Sequence, residues 1–177
     1  RTRVFQLNKR DLRNILGIDA LRAALQTPRC AHVESVAPFR HGVHRALATV
    51  LAALLVDHVL PAVGYRQWVL SFQGPLAVRL GYDTDLLAAV CEKLARALMQ
   101  DQRRDAKRRH GIASVTPLHA GVMIAVQRFR SDLGLYVHLH CLATDGVFED
   151  LGEAVRFLPA DPPTPARMTA VLAQVHE

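Results

Sequence analysis

Apolar side chains recur at helical spacing in four stretches of the chain. These are residues 9–26, which form two short helices around Gly17, and residues 43–60, 83–109 and 166–175. Pro61 ends the second stretch, and Asp83 or Thr84 supplies the side chain that caps the start of the third. The pattern therefore predicts one long helix near the middle of the chain and further helices toward both ends.

Three other stretches are rich in strand-favouring residues, and the first and last of them at least partly alternate apolar and polar positions. They are residues 66–72, 122–129 and 135–143. A short loop joins the last two as a hairpin, and Asp145-Gly146 has the composition of a further hairpin turn before Val147. The order of helices and strands predicts an α+β fold in which helices cover an antiparallel sheet.

The composition along the chain predicts three segments. Residues 31–42 contain Pro38 and no sustained period, which is typical of a linker. Residues 1–55 are assigned to a helical extension, 56–160 to the main domain and 161–177 to a C-terminal helix. The longest apolar run is well short of the ~20 residues that cross a bilayer, so no membrane span is expected. The chain begins at Arg1 without a secretory signal, which predicts a fragment of a longer protein.

The net charge indicates the chemical class of the partner, and the cysteine content indicates the redox state of the compartment. The 177 residues include 22 Lys+Arg and 16 Asp+Glu, which gives a formal charge of +6 and favours an anionic partner such as nucleic acid. The three cysteines are odd in number and lack CxxC spacing, which indicates neither a disulfide framework nor a cysteine zinc site. A reducing cytoplasm is the expected location.

The strand at residues 135–143 carries the candidate chemistry. Side chains alternate along a strand, so Tyr136, His138 and His140 face one way and their neighbours face the other. Residues two apart have Cα atoms about 6.6–7 Å apart. Two such imidazoles can reach one metal ion at about 2.1 Å if a third ligand comes from elsewhere. The alternative is that the two histidines only form hydrogen bonds to neighbours or solvent.

Three blocks of sequence carry a family resemblance. They are Arg66-Gln67-Trp68-Val69-Leu70-Ser71 followed by Pro75-Leu76, then Val126-Gln127-Arg128-Phe129-Arg130-Ser131-Asp132-Leu133, and Val137-His138-Leu139-His140 leading into Asp145-Gly146-Val147-Phe148. In order and spacing they resemble the rolling-circle, tyrosine-dependent insertion-sequence transposases of the HUH class. The class is named after its His-hydrophobic-His motif, which residues 138–140 match. The resemblance covers roughly residues 57–159. It implies an HUH-nuclease-like, ferredoxin-like palm within the α+β fold.

The resemblance also implies an activity, which is nicking and strand transfer of single-stranded or hairpin DNA. In this family a divalent cation, Mg or Mn, polarises the scissile phosphate and a tyrosine attacks it. His138 and His140 match the metal-binding pair, whereas imidazoles alone would equally suit Zn, Cu or Ni. For the third ligand we expect Gln127, with Asp132 as the alternative. Gln127 could equally be an ordinary polar strand residue.

The chain departs from the family in its nucleophile and its N-terminal part. The family's tyrosine lies on a helix beyond the histidine strand, but Tyr65, Tyr82 and Tyr136 all precede His138. The upstream zinc-binding cysteine cluster of such transposases is also absent from the sequence. We therefore expect a truncated catalytic domain. The alternatives are a non-catalytic nucleic-acid-binding remnant of such a transposase and an unrelated two-histidine metallohydrolase.

Basic residues at the end of the long helix and around the strands are candidates for DNA contact. They are Arg66, Trp68, Arg103, Arg104, Lys107, Arg108, Arg109, Arg128 and Arg130, where Trp68 is the one aromatic member. Cations also stabilise a helix C-terminus by themselves, so a solvated helix end is the alternative for the helical group. For Trp68, core packing is favoured over stacking on an unpaired base.

Overall fold

The computed structural model describes residues 2–7, 53–129 and 134–176. The chain divides into two units, one made of Arg1–Gln6 with Gly64–Glu177 and the other of Leu7–Val63. The described part of the second unit contains a π-helix, Leu55–Val59, with Leu60 as its C-cap. Leu60 has extended backbone, as expected for a residue that precedes proline. The helices and the linker predicted within residues 8–52 lie outside the described residues.

The main sheet has four strands: β1 (Thr2–Leu7), β2 (Tyr65–Ser71), β4 (Val122–Phe129) and β5 (Leu135–Thr144). Their order across the sheet is β1-β2-β5-β4. β5 pairs antiparallel with β2 on one side and with β4 on the other. The three strands predicted from the sequence are confirmed, and their pairing makes β5 an inner strand. β1, at the edge beside β2, was not predicted.

A second antiparallel sheet consists of β3 (Leu118–His119), β6 (Gly146–Asp150) and β7 (Val155–Pro159). Its strand order is β3-β6-β7. The hairpin expected at Asp145-Gly146 is wrong, because β6 pairs with β3 and β7 rather than with β5. Gly146 instead lets the chain pass from one sheet to the other. Its φ is 152°, and a Cβ there would collide with the carbonyl oxygen of Leu158.

Three helices complete the unit that contains the sheets: α1 (Gly74–Tyr82), α2 (Thr84–His110) and α3 (Pro165–His176). The long helix and the final helix are confirmed, and Asp83 caps α2 by accepting a hydrogen bond from Leu86 N at 2.9 Å. α2 ends at Gly111, whose φ of 63° is left-handed. α1 was not predicted, because Gly74-Pro75 indicated a turn. Proline is equally suited to the first turn of a helix.

The main core lies between the sheet and the helices. Val137, Leu139 and Cys141 of β5 are fully buried and pack with Leu94 of α2 and Val171 of α3. The fold is therefore α+β, with two small antiparallel sheets and helices, as the sequence predicted at that level. Within the described ranges, every helix is too short or too polar to cross a bilayer.

Candidate functional site

His138 and His140 lie on the face of β5 opposite the buried residues Val137, Leu139 and Cys141. Their ring centroids are 4.9 Å apart, with an interplanar angle of 64°. Two imidazoles that bind one cation at about 2.1 Å place their ring centroids roughly 4.6–5.3 Å apart. The observed separation therefore fits two neighbouring positions around one metal ion.

The ring of His138 is oriented by the backbone of its own strand. Its Nδ1 lies 3.0 Å from the carbonyl oxygen of Tyr136. A carbonyl oxygen only accepts, so Nδ1 carries the proton and Nε2 keeps its lone pair. A hydrogen bond of this kind is typical of metal-binding histidines, because it fixes the tautomer and the direction of the free nitrogen. The Nε2 lone pair of His138 is therefore free to bind a cation.

His140 has a different partner, Gln67 of β2, whose Nε2 lies 3.0 Å from His140 Nδ1. When the amide nitrogen donates to Nδ1, the imidazole proton resides on Nε2, which then cannot bind a metal. Rotation of the Gln67 amide by half a turn offers its oxygen instead, and Nδ1–H then donates while Nε2 becomes free. Metal binding by His140 through Nε2 therefore requires the second arrangement of Gln67.

The environment favours the neutral form of His140. Burial lowers its pKa from the ordinary value of 6.5, and the charge of His138 lowers it further. Metal ligation requires an unprotonated imidazole, so a lowered pKa keeps this ring available as a ligand at neutral pH. Both the ring separation and the charge state of His140 thus suit a cation.

The expected third ligand, Gln127, lies directly opposite His138 in the β4–β5 register. Directly paired residues point to the same face, so this exposed side chain stands beside the imidazole. Its amide nitrogen donates to Phe129 O at 3.4 Å. The alternative ligand, Asp132, lies outside the described residues. Among the residues that are described, no three His, Cys, Asp or Glu side chains gather into a metal-binding group.

The three tyrosines differ in their access to this face. Tyr65 is 1 % exposed, and burial raises its pKa to about 12, which disfavours a phenolate nucleophile. Tyr82, at the end of α1, is 81 % exposed. Tyr136 is on the histidine strand, and its ring centroid is 5.3 Å from that of His138. Of the three, Tyr136 has its ring beside the histidines.

The structure places two of the DNA-contact candidates inside the protein. Arg66 is 5 % exposed, and its guanidinium donates to the carboxylate of Asp145, with Nε 2.8 Å from Oδ1. A buried, paired guanidinium has its charge satisfied within the fold and is not presented to a phosphate. Trp68 is 4 % exposed and belongs to the main core, the packing role that the sequence favoured.

The five basic residues that end α2 separate into two groups. Arg103 donates to Val115 O at 2.7 Å, and Arg109 donates to Pro159 O at 2.9 Å and pairs with Asp161. These two guanidinium groups bind neighbouring segments of the protein. Arg104, Lys107 and Arg108 are exposed and line a groove between α2 and α3.

The two remaining basic candidates belong to the end of β4 and the loop after it. Arg128 is half-buried and donates to Gly81 O at 3.1 Å, which ties β4 to the end of α1. Its guanidinium therefore has a role within the fold. Arg130 lies outside the described residues.

Two residues around these surfaces were missed from the sequence. Gln67 belongs to the Arg66–Ser71 block but had no predicted role of its own, although strand alternation sets it opposite to Trp68, on the face away from the core. Its hydrogen bond to His140 could not be predicted, because the β2–β5 register does not follow from local sequence. Arg167 of α3 gave no signal, since it is one arginine in a short amphipathic helix.

No protein-family model, curated protein or solved structure matches the chain. The chemistry of the site therefore follows from its own residues. These are two oriented imidazoles on an inner strand, an amide beside each of them, and a separate group of exposed cations on α2.

Proposed function

We propose that the chain is the catalytic domain, or a truncated form of it, of an HUH-class transposase that nicks and rejoins single-stranded DNA. The observation that carries this proposal is the separation of 4.9 Å between the imidazole rings of His138 and His140. The antiparallel sheet around them supports it, since the motif blocks of the sequence meet there: β2, β4 and β5 are adjacent. The HUH-nuclease-like palm is part of the proposal.

In this proposal His138 and His140 hold a divalent cation, Mg or Mn, with Gln127 beside them on β4. When bound, the cation would draw electron density from a phosphoryl oxygen of the scissile phosphate. The Tyr136 carbonyl orients the ring of His138, and Gln67 sets the proton position on His140. With Gln67 in its second arrangement, the residues of the chain position both ligand nitrogens before any DNA arrives.

The attacking group is a tyrosine hydroxyl in this reaction class. Its oxygen bonds to phosphorus, the P–O3′ bond breaks, and the phenolic proton leaves to solvent while the 3′ oxygen becomes a hydroxyl. α3, the helix that follows the histidine strand, contains no tyrosine. Tyr136 has its ring next to His138, but it shares the strand with the histidines. A second candidate function is therefore a nucleic-acid-binding remnant without cleavage.

Metal binding is the direct test of the histidine pair. Titration of the chain with MnCl₂, followed by calorimetry and by the electron paramagnetic resonance of free Mn²⁺, is expected to show one saturable site. Replacing both imidazoles, His138→Ala with His140→Ala, should weaken that site by more than about tenfold. The matched control is His110→Ala with His119→Ala, which removes two exposed histidines of other elements.

Cleavage separates the two candidate functions. The probe is a set of single-stranded oligonucleotides covering the genomic sequence on both sides of the coding region, incubated with MnCl₂. A covalent protein–DNA adduct that disappears in the His138→Ala and His140→Ala double variant supports the nuclease, and Tyr136→Phe tests the tyrosine beside the histidines. Oligonucleotide binding that is indifferent to chelator, without an adduct, supports the remnant. Equal Mn²⁺ affinity in the double variant and the control would contradict the metal site.

A further inference from the structure

A groove of about 500 Å³ runs between α2 and α3. The charged and polar side chains that line it are Asp101, Arg104, Lys107, Arg108, Arg167 and Gln174. Two alanines of α3, at positions 166 and 170, form part of its wall, and small side chains there leave the space open. The groove is thus a concave surface in which cations outnumber carboxylates.

Arg167 is held rigidly in the wall of this groove. Its Nη2 lies 2.5 Å from Asp101 Oδ2 and its Nη1 lies 2.9 Å from Asp105 Oδ2, and only 17 % of its side chain is exposed. Burial lowers the pKa of Arg167, but hydrogen bonds and charge from Asp101 and Asp105 outweigh that effect and raise it. Both carboxylates therefore pair with Arg167 and fix its guanidinium in the wall of the groove.

The other cations of the groove lack such complete neutralisation. Among the described residues, the side chain of Arg104 donates only to the neutral Gln100, at 3.5 Å. Arg108 shares Asp105, and 68 % of its side chain is exposed. Lys107 has no ion pair with any residue in the described ranges. Positions 104, 107 and 108 lie within about one helical turn on one face of α2. Three exposed positive charges therefore meet at one side of the groove.

The groove is remote from the histidines. α2 and α3 pack on the face of the sheet that carries Val137, Leu139 and Cys141, and the imidazoles are on the opposite face of the same strand. A ligand in the groove and a cation between His138 and His140 are therefore separated by the sheet. Binding at one place does not require the residues of the other.

We propose that this groove is a second anion-binding surface that takes the sugar–phosphate backbone of a nucleic acid, independently of the histidine pair. Its volume is larger than one phosphate group needs, and it is open, which suits a chain of phosphates better than a single enclosed anion. Flexible cations that neutralise phosphates release counterions, so such binding is sequence-independent and falls with salt. The choice of polymer rests on the proposed function, whereas the anionic character of the ligand rests on the groove itself.

Fluorescence anisotropy with a labelled oligothymidylate, measured at several NaCl concentrations, tests this surface. In the variant Arg104→Gln with Lys107→Gln, the affinity at low salt should fall by roughly tenfold, and the slope of log K against log[NaCl] should become shallower by about 1.4. The matched control is Lys93→Gln with Arg96→Gln, two exposed cations at the same spacing on α2 but outside the groove. The control should keep nearly the affinity of the unmodified chain.

The outcomes separate this proposal from the proposed function. Equal affinities of the groove variant and the control variant would overturn the groove proposal, whatever the result of the metal titration. Vesicles containing phosphatidylserine serve as a competing probe. Loss of vesicle binding in the groove variant, with unchanged oligothymidylate binding, would also overturn it. The His138→Ala and His140→Ala double variant should bind oligothymidylate with the affinity of the unmodified chain. A loss of Mn²⁺ binding in that variant therefore tests the metal site and not the groove.

Discussion

The alternation of side chains along β5 gives its two faces different roles. On the face toward the helices, Val137, Leu139 and Cys141 are fully buried, and burial followed by the charge of Cys91 raises the pKa of the Cys141 thiol to about 12. On the other face, His138 and His140 are half-buried and hydrogen-bonded through Nδ1. One face is buried in the core, whereas the other presents two imidazoles that can form hydrogen bonds and bind a cation.

The contrast shows how an inner strand can support a rigid site. The core face fixes the backbone of β5, and neighbours on both sides hold its register. Polar groups on the opposite face then have fixed separations at little conformational cost, because sites built on strands are more precise than sites on loops. Changes on the first face should therefore alter stability, and changes on the second should alter ionisation and binding.

The largest effect is expected from a leucine on the core face. Leu139→Ala removes a fully buried side chain and should lower the free energy of unfolding by about 2–5 kcal/mol. Leu142→Ala is the matched control, since it makes the same chemical change on the half-buried face of the same strand. Urea unfolding of both variants gives the comparison. Equal losses would show that the two faces are equally important to the core.

A smaller effect is expected from acid. The pKa of His140 is lowered in the folded chain, by burial first and His138 second, so below about 6.5 the unfolded chain binds a proton that the folded chain resists. The free energy of unfolding should therefore decrease as the pH falls below about 6.5. His140→Gln should flatten this dependence, and His119→Gln should not. Parallel pH profiles for the two variants would argue against a lowered pKa at His140.

The smallest effect on stability, and the most specific one, is expected at Gln67. In Gln67→Glu a carboxylate would replace the amide that lies 3.0 Å from His140 Nδ1. It can only accept, so Nδ1 keeps its proton, and the pKa of His140 should rise by about 1 or more. The titration of His140 by NMR measures this directly. Gln73→Glu, in the exposed segment before α1, is the control and should leave the titration of His140 unchanged.

The same fixed proton should affect metal binding. With Nδ1 donating to the carboxylate of the Gln67→Glu variant, His140 Nε2 is the free nitrogen, so Mn²⁺ affinity above the raised pKa should increase severalfold. A decrease at that pH would mean that His140 does not use Nε2. The prediction thus links the hydrogen-bond partner of His140 to the histidine pair without removing either imidazole.

Periodicity predicted much of the fold because its strongest elements are long and regular. The apolar stripe of α2 and the alternation in β2 and β5 are local patterns that burial requires, and these three elements are confirmed. The predictions that were missed or wrong involved dipeptides that are compatible with more than one structure. Gly74-Pro75 can start a helix as well as a turn, and Asp145-Gly146 can redirect a chain as well as reverse it.

The sequence by itself determined that His138 and His140 share a face, because strand alternation has a period of two. It also predicted the hairpin that brings Gln127 near them, but the register that pairs Gln127 with His138 came from the tertiary structure. Only the tertiary structure decided which basic residues remain exposed. Arg66 and Arg103 have the same side chain as Arg104, yet the first is buried against Asp145 and the second binds Val115 O. Partners of that kind lie 79 and 12 residues away, so no local pattern contains them.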